Sequence, residues 1–461
     1  MCGIAGVYSE RFSAVEKVYY ALFSLQHRGQ ESAGIAFYSD TIRYKKQMGL
    51  VSEVFTKEDL IPAKYAIGHV RYSTTGLSRL ENAQPFVVKS KIGTIAVAHN
   101  GNLVNHAELR RELENEGSVF TSDSDSEIIA QLLSKILLKE GDYRDYLQEL
   151  NSKLVGSHSC VLLINDRILA YRDPLGFRPL CVGELEDGYI VCSESCAIDA
   201  LEGRFIKDVE PGEAVIMDNG NLEFIRFAKS RRKAVCIFEY IYFARPDSII
   251  DGINVYRART EMGRVLAEES PADADFVSAV PDSGITAAIG FSSRSGLPYM
   301  ECLIKNRYIG RTFIMPKQEL RELLVKLKVN VIKENVRDKR IVLVDDSIVR
   351  ATTSKRIVDM IRKAGAKEIH LRVGSPPIIA PCYFGIDMKT RKELVASNHT
   401  IEEIREIIGS DSLSYLSLQG LLKALERVGG KDFCVACLTG RYPVAVPGEL
   451  AEERQPEDQQ Y

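Results

Sequence analysis

Neither sign of charge is in excess in this sequence. Lysine and arginine total 60 against 63 aspartates and glutamates, a formal net charge of −3. Because there is no basic surplus and no polybasic run, nucleic acid and anionic membranes are not expected as main partners. No apolar stretch approaches the roughly 20 residues that a membrane-spanning helix needs. The opening MCGIAGVYSE also lacks the basic region and long apolar core of a secretory signal. We therefore expect a cytoplasmic protein.

The composition is that of an ordinary globular protein. Of 461 residues, 45% are hydrophobic and 27% are charged, which excludes a disordered chain, a collagen-like repeat and a coiled-coil rod. At roughly 100–200 residues per domain, this length suggests two to four domains, and two large ones are the simplest division.

The first half of the chain is predicted to be rich in β-structure. Short apolar runs typical of buried strands are interrupted by two segments with helical spacing. The predicted helices are 14–25 and 125–138, and Ser124 or Ser126 is placed to cap the second. The predicted strands are 1–8, 66–72, 92–98, 160–164 and 188–192.

A charged break at 228–234 separates this pattern from a second one. Beyond it strands and helices alternate, which indicates βαβ units in a parallel sheet. The predicted strands are 276–280, 340–344 and 368–373, and the predicted helices are 285–291 and 353–364. We therefore predict one domain over 1–230, a second over 231–445 and a polar tail over 446–461, with residues 449–461 disordered.

The ten cysteines are scattered over a long chain, which favours nucleophilic or metal chemistry over disulfides. Cys2 is the first candidate. If Met1 is removed, Cys2 carries a terminal amine with a pKa of about 8, which can take the proton of its own thiol. From position alone, a tolerated small residue is the more common case. Five other cysteines sit in or beside apolar runs and are expected to be inert: Cys160, Cys181, Cys192, Cys196 and Cys302.

Four further segments accompany the CGIAG that contains Cys2. They are LQHRGQESAGI (25–35), GHVRYSTTG (68–76), AHNGNL (98–103) and SDSE (124–127). This set resembles the class II glutamine amidotransferases, the N-terminal-nucleophile glutaminases. The resemblance implies a sandwich of two β-sheets between helical layers (αββα) over most of residues 1–230.

The same resemblance implies a role for five residues. Cys2 would attack the side-chain amide of glutamine, and Asn100 and the backbone of Gly101 would hold the oxyanion. Arg71 would pair with the substrate α-carboxylate, and Asp125 with its α-ammonium. The chemistry suits these types, since fixed donors stabilise an oxyanion by several kcal/mol and an arginine fork reads a carboxylate. Taken singly, four of them also fit ordinary structural roles: a surface ion pair for Arg71, a hairpin turn at Asn100–Gly101 and a helix-start acid at Asp125.

A second group of polar residues follows an apolar strand. Residues 341–353 read IVLVDDSIVRATT, so the strand runs into Asp345 and Asp346 and then into a helix. In open α/β sheets ligands bind beyond the carboxyl ends of strands, and amides at the next helix N-terminus bind phosphate. The paired acids suit Mg²⁺ or ribose hydroxyls. An ordinary acidic helix cap is equally open from the local pattern.

This segment resembles the phosphoribosyl pyrophosphate (PRPP) signature of type I phosphoribosyltransferases, which have a parallel-sheet domain. Together, the two halves resemble the amidophosphoribosyltransferases over nearly the whole chain, including PDSG (281–284) and KNRYIGRTFIMP (305–316), a loop that closes over PRPP in that family. The resemblance implies Mg²⁺ contacts from Ser283, Asp345 and Asp346. It implies PRPP contacts from basic side chains and from the phosphate loop: Lys305, Arg307, Arg311, Lys328, Asp345, Asp346, Ser347, Thr352 and Thr353.

One position departs from that family's pattern. Where the signature usually has glycine, this chain has Ala351. Glycine is favoured where φ is positive or where the backbone approaches a ligand closely. We therefore expect the methyl group to crowd the 5′-phosphate or reshape the loop, with PRPP binding retained but weaker.

A third group consists of four cysteines. Cys434 and Cys437 form a C-x-x-C pair, and Cys236 and Cys382 are two further candidate ligands. Four thiolates fit either a tetrahedral Zn²⁺ or a [4Fe–4S] cluster, and the spacing does not choose between them. All four positions match the iron–sulfur branch of the amidophosphoribosyltransferases. That resemblance implies a structural [4Fe–4S] cluster that ties the C-terminal segment to the transferase domain.

The resemblance implies that the protein makes 5-phosphoribosylamine, glutamate and pyrophosphate from PRPP, glutamine and water, the first step of purine synthesis. It also implies a homo-oligomer, a dimer or tetramer, and inhibition by purine nucleotides. One rival is another class II amidotransferase, such as an asparagine or glucosamine phosphate synthase, which the PRPP-like segment argues against. The other is a catalytically weakened regulator that senses PRPP or nucleotides, which only Ala351 favours.

Overall fold

The structure, a computed structural model, describes residues 1–73, 76–230, 232–306, 329–446 and 450–451. Its first half consists of antiparallel strands with helices on the outside. The strands are β1 (Gly3–Ser9), β2 (Ser32–Tyr38), β3 (Ile42–Met48), β4 (Tyr65–Arg71), β5 (Phe86–Ser90), β6 (Gly93–Leu103), β7 (Gly156–Ile164), β8 (Arg167–Tyr171), β9 (Cys181–Leu185), β10 (Gly188–Cys192), β11 (Arg204–Asp208), β12 (Glu213–Asp218) and β13 (Asn221–Arg226). The helices are α1 (Ala14–Ser24), α2 (Val51–Val54), α3 (His106–Asn115), α4 (Asp125–Ile136), α5 (Tyr143–Lys153) and α6 (Cys196–Asp199).

These strands form two sheets that pack face to face. The seven-stranded sheet has the order β11-β9-β10-β1-β4-β2-β3, and the six-stranded sheet has the order β13-β12-β8-β7-β6-β5. Side chains alternate along each strand. Ile4 and Tyr8 of β1 therefore join the core between the sheets, whereas Ala5 and Val7 pack in the core that contains α1. The predicted αββα sandwich is confirmed.

Helix α4 shows how local sequence sets this arrangement. It begins at Asp125, and the Ser124 hydroxyl caps it by accepting a hydrogen bond from the amide of Ser126 at 3.2 Å. Its apolar face, which includes Ile129 and Leu133, packs with Val97 of β6 in a third core. The predicted helix and its cap are therefore confirmed.

The second half is mainly an α/β unit. Its strands are β14 (Val235–Cys236), β15 (Ile249–Ile250), β16 (Ile253–Asn254), β17 (Phe276–Ala279), β18 (Leu303–Lys305), β19 (Val329–Val331), β20 (Arg340–Asp345), β21 (Glu368–Val373), β22 (Ser412–Tyr415), β23 (Phe433–Cys434), β24 (Arg441–Tyr442) and β25 (Leu450–Ala451). Its helices are α7 (Val255–Glu269), α8 (Ile285–Ser295), α9 (Lys333–Val336), α10 (Thr352–Lys363), α11 (Val395–Asn398), α12 (Ile401–Ile408), α13 (Leu418–Glu426) and α14 (Ala436–Thr439). Shorter turns are 3₁₀-helical at Gln26–Arg28, Lys57–Asp59, Leu80–Asn82 and Arg391–Glu393, and π-helical at Glu239–Phe243.

Four parallel strands form its central sheet, in the order β17-β20-β21-β22. Helix α10 connects β20 to β21 and buries Ile357, Val358 and Ile361 against the sheet. This is the predicted βαβ unit. It places the segment after β20 at the carboxyl edge of the sheet, where α/β proteins bind ligands.

The C-terminal tail differs from the prediction at one point. Leu450 and Ala451, expected to be disordered, form β25, which pairs in parallel with Arg441 and Tyr442 of β24. Residues 452–461 lie outside the described part, and the domain boundaries at 230 and 445 stay predictions. Within the ranges that the structure describes, no helix is both long and apolar enough to cross a membrane.

Candidate active sites

The first candidate site lies where β1, β4 and β6 bring together residues from both sheets. Gly3 pairs with Val70 in the seven-stranded sheet, which places Cys2 beside Arg71. Asn100 comes from the six-stranded sheet, and its Oδ1 accepts a hydrogen bond from the Cys2 nitrogen at 3.2 Å. All three side chains are buried. The fold therefore brings together residues that lie up to 98 positions apart.

Asn100 presents an unused donor. Its Nδ2 is buried and has no hydrogen-bond partner among the described residues. An unsatisfied buried N–H costs about 1–3 kcal/mol, and it is the group that an oxyanion site must hold ready. Asn100 and Gly101 lie inside β6, so the alternative of a hairpin turn is wrong. A Cβ at Gly101 would lie 2.0 Å from the carbonyl oxygen of Ser157, so glycine is required there.

The two residues predicted to bind the amino-acid end of glutamine are both buried. Arg71 is 3% exposed and forms an ion pair with Glu31, so it is not a surface residue. Asp125 starts α4, and its Oδ2 accepts a hydrogen bond from the Leu103 amide at 2.8 Å. The position at a helix start and the predicted role in binding are therefore compatible. Glu31 was not predicted as a residue of this site, although it lies in the segment 25–35.

The thiol of Cys2 lies 3.6 Å from the carbonyl oxygen of Tyr72. The structure carries Met1, so the Cys2 nitrogen is an amide here. The amine of Met1 is itself enclosed, and burial lowers its pKa to about 5. The predicted use of the Cys2 amine as a base concerns the chain without Met1 and stays a prediction.

A buried network of ion pairs, which the sequence did not reveal, holds the backbone of Cys2. Nε of Arg28 donates to the Cys2 carbonyl at 2.9 Å, and its guanidinium pairs with Glu194 and Glu239. Burial opposes the charge of Arg28, but these two carboxylates outweigh it and raise its pKa. Glu239 belongs to the second half of the chain, so the network also joins the two halves. Arg28 lies in the segment 25–35 that carries the family resemblance, and this was the only sign in the sequence that it belongs to the site.

The second candidate site is a cavity of about 530 Å³ at the carboxyl end of β20. Its polar lining contains most of the phosphate-loop residues that the sequence predicted. Two residues of the first half, His27 and Tyr72, also line it. The predicted residues in the lining are Ser283, Asp345, Asp346, Ser347, Thr352 and Thr353.

Asp345 and Asp346 form a buried pair of like charges. Burial raises the pKa of Asp345, and the charge of Asp346 raises it further. Burial also raises the pKa of Asp346, against hydrogen bonds from Ser283 and Ser347 and the charge of Arg259. Neither carboxylate forms an ion pair with any residue in the described ranges. Such a pair is suited to a cation supplied by a ligand.

Ala351 takes a backbone conformation that glycine adopts readily and other residues rarely adopt. Its φ is +60° and its ψ is −12°, in the left-handed region, directly before α10. The residue is 4% exposed, and its methyl group belongs to a core that includes Ile348 and Ile357. The effects of Ala351 on the loop and on PRPP binding both stay predictions.

The basic residues predicted around pyrophosphate are only partly described. Lys305 ends β18, and its Nζ donates to Oδ2 of Asp282, within the PDSG segment, at 2.5 Å. Arg307, Arg311 and Lys328 lie outside the described residues.

The four candidate cluster cysteines come from three separate segments. Cys236 and Cys434 are opposite each other in the parallel pair of β14 and β23, and Cys437 lies in α14. Burial raises the pKa of Cys236 to about 11, and the charge of Cys382 contributes. Burial also raises the pKa of Cys434 and of Cys437, and the other thiols add to it. The four thiols therefore lie near one another, but no three His, Cys, Asp or Glu side chains in the described ranges are arranged to hold a metal ion.

The five cysteines expected to be inert lie in the cores. Each is buried, and all ten cysteines of the chain are free thiols. Cys181 and Cys192 come closest, with sulfurs 3.8 Å apart on neighbouring strands.

Known proteins match both halves of the chain. Residues 69–200 match the family model described as a glutamine amidotransferase domain. The amidophosphoribosyltransferase of Archaeoglobus fulgidus is 68% identical over 98% of this chain and 100% of its own length. That of Methanocaldococcus jannaschii is 55% identical over 97% of this chain and 98% of its own length. The chain belongs to the amidophosphoribosyltransferase family.

Solved structures of amidophosphoribosyltransferases share the fold. The glutamine PRPP amidotransferase of Bacillus subtilis, complexed with ADP and GMP, has a TM-score of 0.89 at 45% identity and covers 97% of this chain and 98% of its own. A structure described as the allosteric regulatory enzyme of purine biosynthesis has a TM-score of 0.90 at 45% identity, with 97% of each chain covered. The predicted two-domain fold, a glutaminase sandwich followed by a phosphoribosyltransferase domain, is confirmed. The predicted amidophosphoribosyltransferase function is therefore confirmed, and the alternative of a regulator is not supported.

Proposed function

We propose that the two candidate sites act in sequence, releasing ammonia from glutamine at Cys2 and adding it to PRPP beside Asp345 and Asp346. The observation that carries this proposal is the position of Tyr72. Its carbonyl oxygen lies 3.6 Å from the Cys2 thiol, and the same residue lines the 530 Å³ cavity. One residue therefore separates the nucleophile from the second site.

At the first site the buried groups suit amide hydrolysis. Cys2 would form a γ-glutamyl thioester and release ammonia, and water would then free glutamate. The unused Nδ2 of Asn100 and the backbone of Gly101 would hold the developing oxyanion. Arg71 would bind the α-carboxylate with two hydrogen bonds, and Asp125 the α-ammonium.

At the second site ammonia would attack the anomeric carbon of PRPP, displace pyrophosphate and give 5-phosphoribosylamine. The amides at the start of α10, with Ser347, Thr352 and Thr353, would hold the 5′-phosphate. Ser283, Asp345 and Asp346 would contact Mg²⁺, and the buried acidic pair fits such an ion. When bound, Mg²⁺ supplies positive charge against the pyrophosphate oxygens. Lys305 would add charge there, as would Arg307, Arg311 and Lys328.

The four cysteines would hold a [4Fe–4S] cluster. Donor chemistry supports this. Burial and neighbouring sulfurs raise the pKa of Cys236, Cys434 and Cys437, and a bound metal group would supply the positive charge that stabilises their thiolates. A single Zn²⁺ would need all four sulfurs about 2.3 Å from one point, and no three such ligands in the described ranges surround one metal position. A cluster places its ligands farther apart. Iron and acid-labile sulfide analysis of anaerobically purified protein tests this, and zinc without iron would contradict it.

Three further features are proposed on family grounds. We infer a homo-oligomer, a dimer or tetramer, and a cytoplasmic location, where reducing conditions suit a chain whose ten cysteines form no disulfide. We also infer inhibition by purine nucleotides, in line with the ADP and GMP bound in the Bacillus subtilis structure.

The test measures glutamate and pyrophosphate from glutamine, with and without PRPP and Mg²⁺, under anaerobic conditions. We expect both products in equal amounts and only when PRPP is present. Glutamate release that is indifferent to PRPP, without pyrophosphate, would contradict the second half of the proposal.

A further inference from the structure

The strand that carries the oxyanion residues rests on the loop that follows one candidate cluster cysteine. This loop, here called the 382–388 loop, starts at Cys382 and closes on itself through a hydrogen bond from the Cys382 amide to the Met388 carbonyl at 2.8 Å. The amide of Phe384 approaches the Cys382 sulfur at 3.4 Å. The loop conformation is therefore tied to the position of that sulfur.

Three side chains of the first half donate to backbone carbonyls of this loop. Nδ2 of Asn102, directly after Gly101, donates to the Tyr383 carbonyl at 2.9 Å. The Ser157 hydroxyl donates to the Phe384 carbonyl at 2.7 Å. Nε of Arg178 donates to the same carbonyl at 2.9 Å. Nη2 of Arg178 donates to it as well, so the Phe384 carbonyl accepts hydrogen bonds from two buried side chains.

Ser157 also determines where the oxyanion strand lies. It pairs with Asn102 in the register of β6 and β7, and its hydroxyl accepts a hydrogen bond from the Asn102 amide at 3.0 Å. Its carbonyl leaves no room for a side chain at Gly101. A Cβ built on Gly385 would in turn lie 3.2 Å from the Gly101 carbonyl. Loop and strand are therefore in backbone contact.

Packing and charge fix the same loop from the other side. The rings of Phe384 and Phe177 stack with centroids 4.3 Å apart, and Phe384 is 2% exposed. Arg178 is fully buried, and although burial opposes its charge, the nearby Cys236 and Cys382 and the carboxylate of Glu239 raise its pKa. The same arginine lies 3.7 Å from Glu239, the partner of Arg28.

We propose that the 382–388 loop, through the Phe384 carbonyl, positions the oxyanion strand Asn100–Asn102. A change in the position or chemistry of the Cys382 sulfur would therefore alter the rate of glutamine hydrolysis. Ser157 and Arg178 are positioning residues, since neither is placed against the substrate. The inference rests on the proposed glutaminase role of Asn100. A shift of about 1 Å at an oxyanion donor is enough to slow a reaction by about a hundredfold.

The first test is Ser157→Ala in the full-length protein. We expect kcat with glutamine to fall about ten- to a hundredfold, with KM for glutamine unchanged because Arg71 and Asp125 are untouched. Ammonia-dependent synthesis should stay at the wild-type level. Ser134→Ala is the matched control, since it also removes a buried hydroxyl that bonds to a backbone carbonyl. If Ser157→Ala does not fold, Asn102→Ala, a half-buried residue, replaces it under the same criteria.

The second test needs no activity. In Cys382→Ser, amide hydrogen exchange should become faster over residues 98–103, while the equally buried β4 strand, residues 65–71, keeps its protection. Unchanged exchange at 98–103, an equal increase in both strands, or an unchanged kcat in Ser157→Ala would each overturn the proposal. A wild-type protein without glutaminase activity would count against the proposed function instead, and the exchange data would still decide the positioning role.

Discussion

The two candidate sites differ in how far folding alone completes them. At the Cys2 site the buried arginines have partners from the chain, Glu31 for Arg71 and two carboxylates for Arg28. At the cavity, Asp345 and Asp346 are buried side by side, and burial opposes the ionisation of both. The first site is therefore preorganised. At the second site the ionised form of the two carboxyl groups is disfavoured by burial, and a cation bound with the ligand would stabilise it. Changes at the two sites should consequently affect stability in opposite directions.

The largest effect is expected from Asp345→Asn with Asp346→Asn. Pyrophosphate release should fall by at least about a thousandfold, because the carboxylates would hold the ion that offsets charge on the leaving group. Ammonia-dependent and glutamine-dependent synthesis should fall together. Steady-state assays with either nitrogen source check this. Asp359→Asn, on the exposed side of α10, is the control and should leave both rates unchanged.

The same double variant should be more stable than the wild type in the absence of ligand. Both pKa values are raised in the folded state above about 3.9. In the wild type, the contribution of these two groups to the free energy of unfolding is therefore fully present below that pH. It is lost as the pH rises through their raised folded-state pKa values. The difference in melting temperature between variant and wild type should grow from about pH 4 upward. A difference in melting temperature that is constant with pH would show that ionisation of Asp345 and Asp346 does not destabilise the fold.

Asn100→Ala tests the preorganised site. Loss of one oxyanion donor should lower kcat with glutamine by about a hundredfold to a thousandfold, with ammonia-dependent synthesis unchanged. Here no gain in stability is expected, since the variant also removes the bond to the Cys2 nitrogen. Asn105→Ala, which removes a side-chain bond to the Lys153 carbonyl, is the control. If Asn100→Ala melts at a higher temperature than the wild type, the predicted opposite effects on stability at the two sites would be wrong.

Arg71→Lys should have a smaller effect, confined to binding. Lysine keeps the charge but loses the fork that grips a carboxylate. Charged hydrogen bonds contribute about 2 kcal/mol, so KM for glutamine should rise roughly thirtyfold with little change in kcat. Arg43→Lys, at an exposed position of β3, should leave KM unchanged. A fall in kcat at constant KM would place Arg71 in the chemistry and not in binding.

Ala351→Gly should have the smallest effect. Glycine relieves the left-handed strain of about 1–2 kcal/mol, but it loses a buried methyl group and gains freedom in the unfolded chain. Stability should therefore change by less than about 1 kcal/mol, as measured by denaturant unfolding. A gain of more than about tenfold in PRPP affinity would show that the methyl group does crowd the phosphate.

Local patterns predicted the elements well, and the reason is visible in the structure. Helix α4 has both an apolar face and a serine cap, and the segment 368–373 appears as β21 without change. The joint motifs also located the buried residues around Cys2. What the sequence could not show was pairing between distant positions, such as Arg28 with Glu239 or Ser157 with Phe384. Such contacts depend on how two domains pack, and no periodicity encodes that.

The most direct test of the two-site account is Cys2→Ala, assayed with glutamine and with high ammonia. The account predicts loss of glutamine-dependent synthesis with ammonia-dependent synthesis retained at the wild-type rate, because the site at Asp345 and Asp346 uses ammonia, PRPP and Mg²⁺ without needing Cys2. Loss of both activities in a variant with the wild-type melting temperature would contradict it. Retention of glutamine-dependent synthesis would show that Cys2 is not the nucleophile.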